Sequence, residues 1–327
     1  MKKILLYLVT ILLLVIAGFF IFVQSTWNKK HEAPYPDIKA STDSAVIARG
    51  KYLVFGPAHC AECHGDMNKM KELAAGEIIP LCGGWELPID PGIMRARNIT
   101  PDVETGIGKL TDGEIARTMR YSVGSDGRTI FPFMPFQNMS DEDLTAIISF
   151  LRSQPAVKNK IEPSALNFLG KAIQAVGMIQ PIFPEGTPPK TVKIDSTIEF
   201  GSYIANSVAN CKGCHTDRDL KTGKFIGEPF AGGFHMPPDA FSKGFAFITP
   251  NLTPDVETSR LKDWTEQAFI NRFRQGRIYE TSPMPWGPFS RLDEVELKAL
   301  YRYLQSIPAV KNSVVKTVFA PGEALPK

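Results

Sequence analysis

The chain has 327 residues, of which 43% are apolar and 22% charged, so its composition is that of a globular protein and excludes a disordered one. Its length leaves room for two domains of common size. The net charge is only +3, and no basic stripe with interleaved aromatic residues occurs, which argues against binding to nucleic acid.

A run of twenty residues near the N-terminus, Ile4 to Val23, is apolar except for Thr10. At about 1.5 Å per residue, a helix of this length spans about 30 Å, the thickness of a bilayer core. Trp27 follows, where interfacial aromatic residues belong. We therefore expect residues 1–30 to form a transmembrane anchor. The alternative is a cleaved signal peptide, for which residues 23–25 offer a small-residue cleavage site.

The excess of basic over acidic residues lies outside two long segments. Residues 40–159 hold 12 basic and 15 acidic side chains, and residues 195–312 hold 14 of each. The basic excess therefore lies in the N-terminus, the linker and the tail, as suits a chain held at an anionic membrane surface. Lysines scattered in solvent account for it equally well. Lysines flank the apolar run on both sides, so charge bias does not orient it.

A short tether, His31 to Lys39, contains two prolines and precedes a predicted helix start at residues 41–43. That helix is expected to run to the pentapeptide at residues 60–64, whose Cys-x-x-Cys-His spacing is typical of covalent haem attachment. The two thiols would form thioether bonds to the haem vinyl groups, and the imidazole would ligate the iron. These residues are Cys60, Cys63 and His64.

The same pentapeptide pattern recurs in the second half, at Cys211, Cys214 and His215. A closed zinc site would need four thiolate or imidazole ligands, and each motif supplies only three. A redox dithiol is the other alternative. The repetition favours haem over both, and we predict two covalently bound haem c groups.

The surroundings of the motif are repeated as well. Tyr52 and Tyr203 each lie eight residues before the first cysteine of their motif. Longer strings recur at an offset of 153 residues: TPDVET at 100–105 and 253–258, and PAVKN at 155–159 and 308–312. One unit of about 120 residues has been duplicated. The predicted organisation is an anchor at 1–30, domains at 40–159 and 195–312, a linker at 160–194 and a tail at 313–327.

Helix signals recur in both predicted domains. The predicted helix starts are Thr111 with Glu114, Thr265 with Glu266, Ser140 with Asp143, and Ser196 with Glu199. The last helix of each domain ends before Pro155 or Pro308. No run of alternating apolar residues competes, so an all-α fold is predicted. A linker helix within residues 166–179 is expected to pack between the domains; the alternative is that it lies on the bilayer.

The repeat also predicts the second axial ligand of each iron. Met134 and Met284 both lie in Met-Pro-aromatic strings about 70 residues after the cysteine motif. A stiff proline-flanked loop can hold a thioether over the iron and raise its reduction potential. His59 and His235 are rivals without a counterpart in the other domain. The remaining methionines are expected as core filler: Met67, Met70, Met94, Met119, Met139, Met178 and Met236.

Several nearby residues are expected to support the haems. Proximal imidazoles donate their second N–H to a neighbouring acceptor, and the carbonyls of Pro80 and Pro229 are candidates. Side chains that are able to meet haem propionates, or simply to form turns, are Arg97, Asn98 and Asn251. Cys82 belongs to neither motif, and we interpret it as a small buried thiol because the matching position in the second half is Ala231. The alternative is that Cys82 is an iron ligand or a redox thiol.

Each half resembles a class I cytochrome c domain of the sort found in the cytochrome subunits of alcohol, gluconate and fructose dehydrogenases. The resemblance rests on C-A-E-C-H, N-I-T-P-D-V-E-T-G-I-G, F-M-P-F and the acid-rich final helix, with their equivalents in the second half. It covers about residues 40–312 and implies electron transfer through His/Met haems. The chain differs in having two haem motifs where those subunits have three, and in its N-terminal anchor.

The expected function is that of a dihaem electron carrier and not an enzyme. Its partners would be a dehydrogenase or quinol-oxidising complex on one side and a terminal oxidase or soluble cytochrome on the other. The alternative is a dihaem enzyme such as a peroxidase or a thiosulfate-oxidising enzyme, which needs an open or displaceable iron position. Since covalent haem attachment is an export-side chemistry, the haem domains are expected on the periplasmic side of the membrane.

Overall fold

The protein is described by a computed structural model that covers residues 1–220, 222–239 and 242–326. Twelve α-helices occur in the described residues: α1 Lys2–Thr26, α2 Ser44–Phe55, α3 Ala61–His64, α4 Met70–Ala75, α5 Asp112–Tyr121, α6 Asp141–Ser153, α7 Phe168–Ala175, α8 Ile198–Tyr203, α9 Cys211–Cys214, α10 Glu266–Arg274, α11 Trp286–Phe289 and α12 Glu294–Ser306. A 3-10 turn at Met67–Lys69 and a π-helical turn at Ile204–Val208 adjoin α4 and α8. Six short strands accompany them: β1 Glu86–Ile89, β2 Gly92–Arg95, β3 Ala165–Leu166, β4 His235–Met236, β5 Ala246–Ile248 and β6 Val318–Phe319.

The strands form two antiparallel sheets of three strands each, with the orders β1-β2-β3 and β4-β5-β6. The all-α prediction is therefore wrong. These strands have between two and four residues, too few to show an alternating apolar pattern. The third strand of each sheet is also distant in sequence: β3 pairs with β2, and β6 pairs with β5. Both third strands lie in segments that the sequence assigned to the linker and the tail.

Most predicted helix starts are confirmed by their capping hydrogen bonds. The Thr111 hydroxyl accepts from the Glu114 N–H in a full capping box, and the Ser140 hydroxyl accepts from the Asp143 N–H. Thr265 caps α10 in the same way. The start of α8 was misplaced by one residue, since Thr197 and not Ser196 caps it. The caps were predictable because they depend only on residues within one turn.

In each predicted domain the first helix packs against the last helix at a glycine: α2 against α6, and α8 against α12. Gly50 of α2 lies against α6, where an added Cβ atom would stand 1.8 Å from the Ala146 carbonyl oxygen. Gly201 of α8 lies against α12, where a Cβ would stand 2.0 Å from the Ala299 carbonyl oxygen. Any larger residue would push these helices apart. The two crossings belong to one apolar core that includes residues of both halves.

A buried polar cluster joins the halves. The Arg49 guanidinium donates to Asp143 at 3.0 Å and to Glu296 at 3.4 Å, so it bridges the starts of α6 and α12. The Tyr203 hydroxyl donates to Asp143 at 2.7 Å, and the Tyr52 hydroxyl donates to Glu296. These are the two tyrosines that repeat before the cysteine motifs. The tyrosine of each half therefore donates a hydrogen bond to a carboxylate of the other half.

The cluster is stable only as a complete set. Glu296 is 1% exposed and Asp143 is 5% exposed, so water can do little to solvate either carboxylate. Burial raises the pKa of Glu296, and it raises the pKa of both tyrosines, which keeps their hydroxyl protons available for donation. Because Arg49 supplies the positive charge, its removal would leave two buried carboxylates without a counter-ion.

The N-terminal helix α1 stands apart from this core. It has 25 residues, and its most apolar stretch of 18 residues has a mean hydropathy of 3.0. The helix is therefore long and apolar enough to cross a membrane, and a signal sequence has the same features. Its last turns contact the linker helix α7, since the Phe20 and Phe168 rings stack with centroids 5.5 Å apart. This differs from the predicted position of the linker helix between the two domains.

We predict that Arg49→Leu destabilises the folded protein by about 3–5 kcal/mol, because a buried ion pair then loses one partner. Guanidinium unfolding of the full-length protein measures this loss. The control is Lys311→Leu, which breaks an exposed pair with Glu257 and should cost less than about 1 kcal/mol. Equal losses in the two variants would show that the cluster does not hold the halves together.

Candidate haem sites

Each Cys-x-x-Cys-His motif forms one tight helical turn. In the first motif this turn is α3, and the His64 N–H donates to the Cys60 carbonyl at 2.9 Å. In the second it is α9, and the His215 N–H donates to the Cys211 carbonyl at 2.9 Å. Side chains three and four positions apart share one face of a helical turn. The two thiols and the imidazole of each motif are thus brought to the same face.

A residue with left-handed backbone precedes each motif, with φ at 41° in His59 and 53° in Asn210. Residues other than glycine rarely adopt this conformation, so the surrounding structure must hold it. The His59 ring donates to the Pro57 carbonyl at 3.1 Å and packs edge-on against Phe289 with centroids 5.5 Å apart. Asn210 stands at the equivalent position of the second half, so the His59 ring has no counterpart there, which does not support it as an iron ligand.

The four motif thiols are free and half-buried. Burial raises the pKa of Cys60 to about 12, of Cys63 to about 11 and of Cys211 to about 12, and it also raises the pKa of Cys214. A redox-active dithiol needs a lowered pKa instead. Within the described residues, no group of three or more His, Cys, Asp or Glu side chains is arranged to hold a metal ion. Neither the dithiol nor the zinc alternative gains support.

Both motif imidazoles are held by a backbone carbonyl. The His64 Nδ1 lies 2.8 Å from the Arg97 carbonyl oxygen, and the His215 Nδ1 lies 3.1 Å from that of Pro250. Since a carbonyl only accepts, Nδ1 must carry the proton, which leaves the Nε2 lone pair free for iron. Burial lowers the pKa of both imidazoles and so favours the neutral form that a metal ligand requires.

The carbonyls predicted for this role were the wrong ones. The Pro80 carbonyl instead accepts from the Asp66 N–H at 2.9 Å. The true acceptors lie just after β2 and β5, more than thirty residues beyond each histidine. Each of these loops contacts a Gly-Gly pair that repeats in the sequence, Gly83-Gly84 in the first half and Gly232-Gly233 in the second. Such distant pairing leaves little trace in a single sequence. The signal that was present is the repetition of the Gly-Gly pair itself.

The first glycine of each pair brings this loop against the motif. The Gly83 N–H donates to the His64 carbonyl at 2.8 Å, and the Gly232 N–H does the same for His215. A Cβ atom on Gly83 would lie 2.6 Å from the Arg97 carbonyl carbon, and φ is +76°. Gly232 has a φ of +71° and equally close contact with Pro250. Only glycine fits where the loop that holds the imidazole must approach so closely.

The two repeated strings of the sequence contact each other and brace the same loop. The Asn98 amide donates to the Val157 carbonyl at 2.8 Å and to the Thr105 hydroxyl at 3.1 Å, while its oxygen accepts from Thr100. Asn251 makes the equivalent bonds in the second half. Both asparagines are buried and fully used in these turns. The turn-forming role of these asparagines is thus supported over contact with haem propionates.

Met134 and Met284 lie in loops fixed by hydrogen bonds. The Met134 carbonyl accepts from the Gln137 amide at 3.0 Å, and the Met284 carbonyl accepts from the Trp286 N–H at 2.8 Å. Both side chains are half-buried and pack against the same core that Cys60 and Cys211 contact. Their role as axial ligands stays a prediction. The core-filler expectation is confirmed for three other methionines, which are buried: Met94, Met119 and Met139.

The first cysteine motif lies against the second half. A Cβ atom on Gly287 would stand 3.8 Å from the Glu62 carboxylate, and the Arg291 guanidinium donates to the Phe55 and Leu73 carbonyls at 3.1 and 2.6 Å. Gly287 follows Met284 by three residues. The attachment turn of one half therefore meets the methionine loop of the other.

The first half of the chain matches a known family over residues 47–155, described as Cytochrome c. By this match, residues 47–155 contain a domain similar to cytochrome c. The match includes the first cysteine motif, the Arg97 loop and Met134, and the predicted resemblance is confirmed. A cytochrome c domain implies a covalently bound haem c. The free thiols and the available Nε2 of His64 fit that group.

Similar proteins can be aligned with most of the chain, beyond the residues that the family model matches. The alcohol dehydrogenase (quinone) cytochrome c subunit of Gluconobacter oxydans (strain 621H) is 29% identical over 82% of this chain. The fructose dehydrogenase cytochrome subunit of Gluconobacter japonicus is 26% identical over 86%. This chain spans only 56% of each of these subunits. A diheme cytochrome c-type protein of Cereibacter sphaeroides is 24% identical and is matched over 97% of its length by 91% of this chain.

Cys82 of the cytochrome c domain occupies a core position. It is 5% exposed, and its counterpart Ala231 is 3% exposed. The Asn159 amide donates to the Cys82 carbonyl at 3.0 Å, and Asn312 does the same for Ala231 at 2.9 Å. Burial raises the pKa of the Cys82 thiol. These contacts support a structural thiol and give no sign of a reactive one.

We predict that Gly83→Ala raises the reduction potential of the haem at His64. The added methyl group must displace the Arg97 backbone, which weakens the bond to Nδ1 and makes the imidazole a poorer donor to ferric iron. Spectroelectrochemical titration measures the shift. The control is Gly76→Ala, where φ is +100° but nothing lies within 4 Å of the new atom. A potential that is the same in both variants would contradict the role of the carbonyl.

Proposed function

We propose that the chain is a membrane-anchored dihaem cytochrome c that passes single electrons from a dehydrogenase or quinol-oxidising complex to a terminal acceptor. The observation that carries this proposal is the repetition of one complete attachment site. Both sites have free thiols on a helical turn, a left-handed residue before it and an imidazole whose Nδ1 is held by a carbonyl.

The second haem is supported by the second site and by one relative. His215 and Pro250 reproduce the bond between His64 and Arg97, although the family model matches only residues 47–155. The Cereibacter sphaeroides protein, whose name states two haems, matches almost end to end. We infer two domains of one type, at 40–159 and 195–312, each holding one haem c.

The proposed ligand sets assign one role to each side chain. The thiols of Cys60, Cys63, Cys211 and Cys214 form the thioether links. His64 and His215 would each hold the iron through a ring nitrogen, and Met134 and Met284 would each hold it through a thioether sulfur. Haem bound in this way supplies a one-electron couple between ferric and ferrous iron. The Arg97 and Pro250 carbonyls orient the imidazoles, burial keeps them neutral, and the two methionines would leave no ligand position open.

The contact between the halves suits electron exchange within one chain. Glu62 beside the first attachment turn faces Gly287 near Met284, and the Arg49 cluster fixes the halves relative to each other. A fixed separation keeps the two sites close without any rearrangement. This geometry supports transfer between the sites as part of the proposed function.

Membrane anchoring is proposed for α1, with the haem domains on the periplasmic side. Support comes from its length, its mean hydropathy and its contact with α7. The tether behind it also docks on the first half, because the His31 N–H donates to the Gly127 carbonyl at 2.8 Å and Arg117 donates to the His31 carbonyl at 3.2 Å. The contact of α1 with α7 favours a retained helix over a cleaved one, because cleavage at residues 23–25 would remove it while leaving the bonds of His31 in place.

A carrier role is proposed over a catalytic one. The Gluconobacter relatives are named cytochrome subunits, which fits a chain that serves a separate catalytic subunit. Peroxidase or thiosulfate chemistry would need an open iron position or an unusual ligand. Cys82 was the one residue that favoured such chemistry, and it is buried in the core. The dehydrogenase, quinol-oxidising and terminal-oxidase partners are proposed as classes only.

We expect the mature protein to carry two covalent haem c groups, because both motifs present two free thiols. Intact-mass measurement after denaturation should show two haem additions. Cys60→Ala and Cys211→Ala should each weaken attachment at their own site and leave the other loaded. A mass with one haem or none would contradict the dihaem assignment.

Methionine ligation predicts a far-red iron–sulfur charge-transfer band in the oxidised protein. Met134→His should remove about half of that band and lower one potential, since imidazole donates more strongly than thioether. Met284→His should do the same at the other haem. Met139→Leu is the matched control, because Met139 is fully buried and Leu292 fills the equivalent position. An unchanged spectrum in Met134→His would exclude Met134 as a ligand.

The carrier role predicts slow catalysis by the isolated full-length protein. It should exchange electrons with small reductants but turn over hydrogen peroxide or thiosulfate more slowly than about 1 per second, below typical enzyme rates. Cyanide should bind slowly at both haems. Rapid turnover that Cys82→Ala abolishes would overthrow the carrier assignment and make Cys82 the functional residue.

A further inference from the structure

The linker helix α7 exposes an apolar face. Leu169 is 50% exposed and Val176 is 53% exposed, and they lie seven residues apart on one side of the helix. Ala172 and Ile173 lie at the intervening positions of the same face and are half-buried. Met178 follows at 48% exposed. An exposed apolar face on a short helix needs a partner of matching chemistry.

This helix is firmly attached to the first half. The Asn167 amide side chain donates to the Asp90 carbonyl at 2.7 Å, and the Asn167 N–H donates to the Pro91 carbonyl at 3.1 Å. Gly170 is buried, and a Cβ atom there would stand 2.2 Å from the same Pro91 oxygen. The hairpin of β1 and β2 therefore fixes α7, and whatever α7 contacts is held in fixed relation to the first haem site.

Contact with α1 sets the depth of this face. The Phe168 ring lies 5.5 Å from the Phe20 ring and 6.3 Å from the Phe19 ring. Phe20 precedes Val23, the end of the apolar run, by three residues, or about 4.5 Å of helix. If α1 crosses a bilayer, Phe168 must then lie at the level of the outer acyl chains.

Charged and aromatic groups lie where the headgroups would be. The Lys171 ammonium sits 5.0 Å from the Trp27 ring centre, and Lys29 and Lys30 follow on the exposed chain. Tryptophan and lysine are the residues that suit the membrane–water boundary, and lysines near an anionic surface are attracted to it. The polar side of α7 and the end of α1 thus present one basic rim.

We propose that α7 lies in the interface of an anionic phospholipid bilayer, with Phe168, Leu169, Val176 and Met178 among the lipids. This inference rests on the proposed anchoring by α1. Interfacial helices bury their apolar face about 5–10 Å into the headgroup and acyl boundary, which matches the level of Phe168. The chain then has two membrane contacts, a spanning helix and an interfacial one, and the first half is held at the bilayer surface in one orientation.

Photo-crosslinking of the full-length protein in phosphatidylglycerol-containing vesicles tests the proposal. Benzoylphenylalanine replaces Val176 in one variant and Val256 in a matched control, which is 83% exposed and lies in the second half. A third variant carries it at Ile16 within α1. Lipid adducts are quantified by mass spectrometry, after haem content has shown that each variant is folded.

The proposal predicts several-fold more lipid adduct at position 176 than at 256, together with a strong adduct at 16. An adduct at 16 with none at 176 would overturn the interfacial placement of α7 while leaving the anchor intact. Absence of lipid adduct at both 16 and 176 would overturn the anchor and the interfacial helix together. Crosslinks from 176 to a second copy of the chain would overturn the lipid assignment in favour of self-association.

Discussion

The hydrogen bond from each motif imidazole to a backbone carbonyl is the constraint on which the rest of the structure depends. It fixes the ring orientation and the tautomer, and so leaves Nε2 available for iron at His64 and His215. The glycine pair, the asparagine-centred turns and the segment after the last helix all serve to place the carbonyl-bearing loop. The strings that repeat most closely in the sequence, TPDVET and PAVKN, therefore form the turns that support the loop bound to each imidazole.

Duplication also explains how the halves are joined. A tyrosine that each copy inherited now donates to a carboxylate of the other copy, with Arg49 between the two carboxylates. Arg49 itself has no repeated counterpart, because Phe200 stands at the equivalent position. One arginine serves both carboxylates because the pair is shared across the interface. Burial makes Arg49 essential to the arrangement, since its loss leaves two carboxylates without a counter-ion at sites with almost no solvent.

What could be predicted from the sequence was local. The attachment motifs, the helix caps at Thr111 and Ser140 and the duplication itself depend on residues within a turn or on identical strings. The short sheets were missed because two-residue strands carry no periodic pattern, and their third members come from distant segments. The carbonyl partners of the histidines and the Arg49 bridge were missed for the same reason: tertiary packing, which no single segment encodes, brings them together.

The central claim is that both halves hold a closed, equivalent haem site. Electron paramagnetic resonance of the fully oxidised full-length protein tests it most directly, because it counts ferric centres and reports their spin state at once. Two low-spin ferric signals that integrate to two spins for each chain are the predicted result. A single spin for each chain would contradict the second site. A high-spin signal from either centre would show an open axial position and contradict the closed His/Met ligand sets on which the carrier function depends.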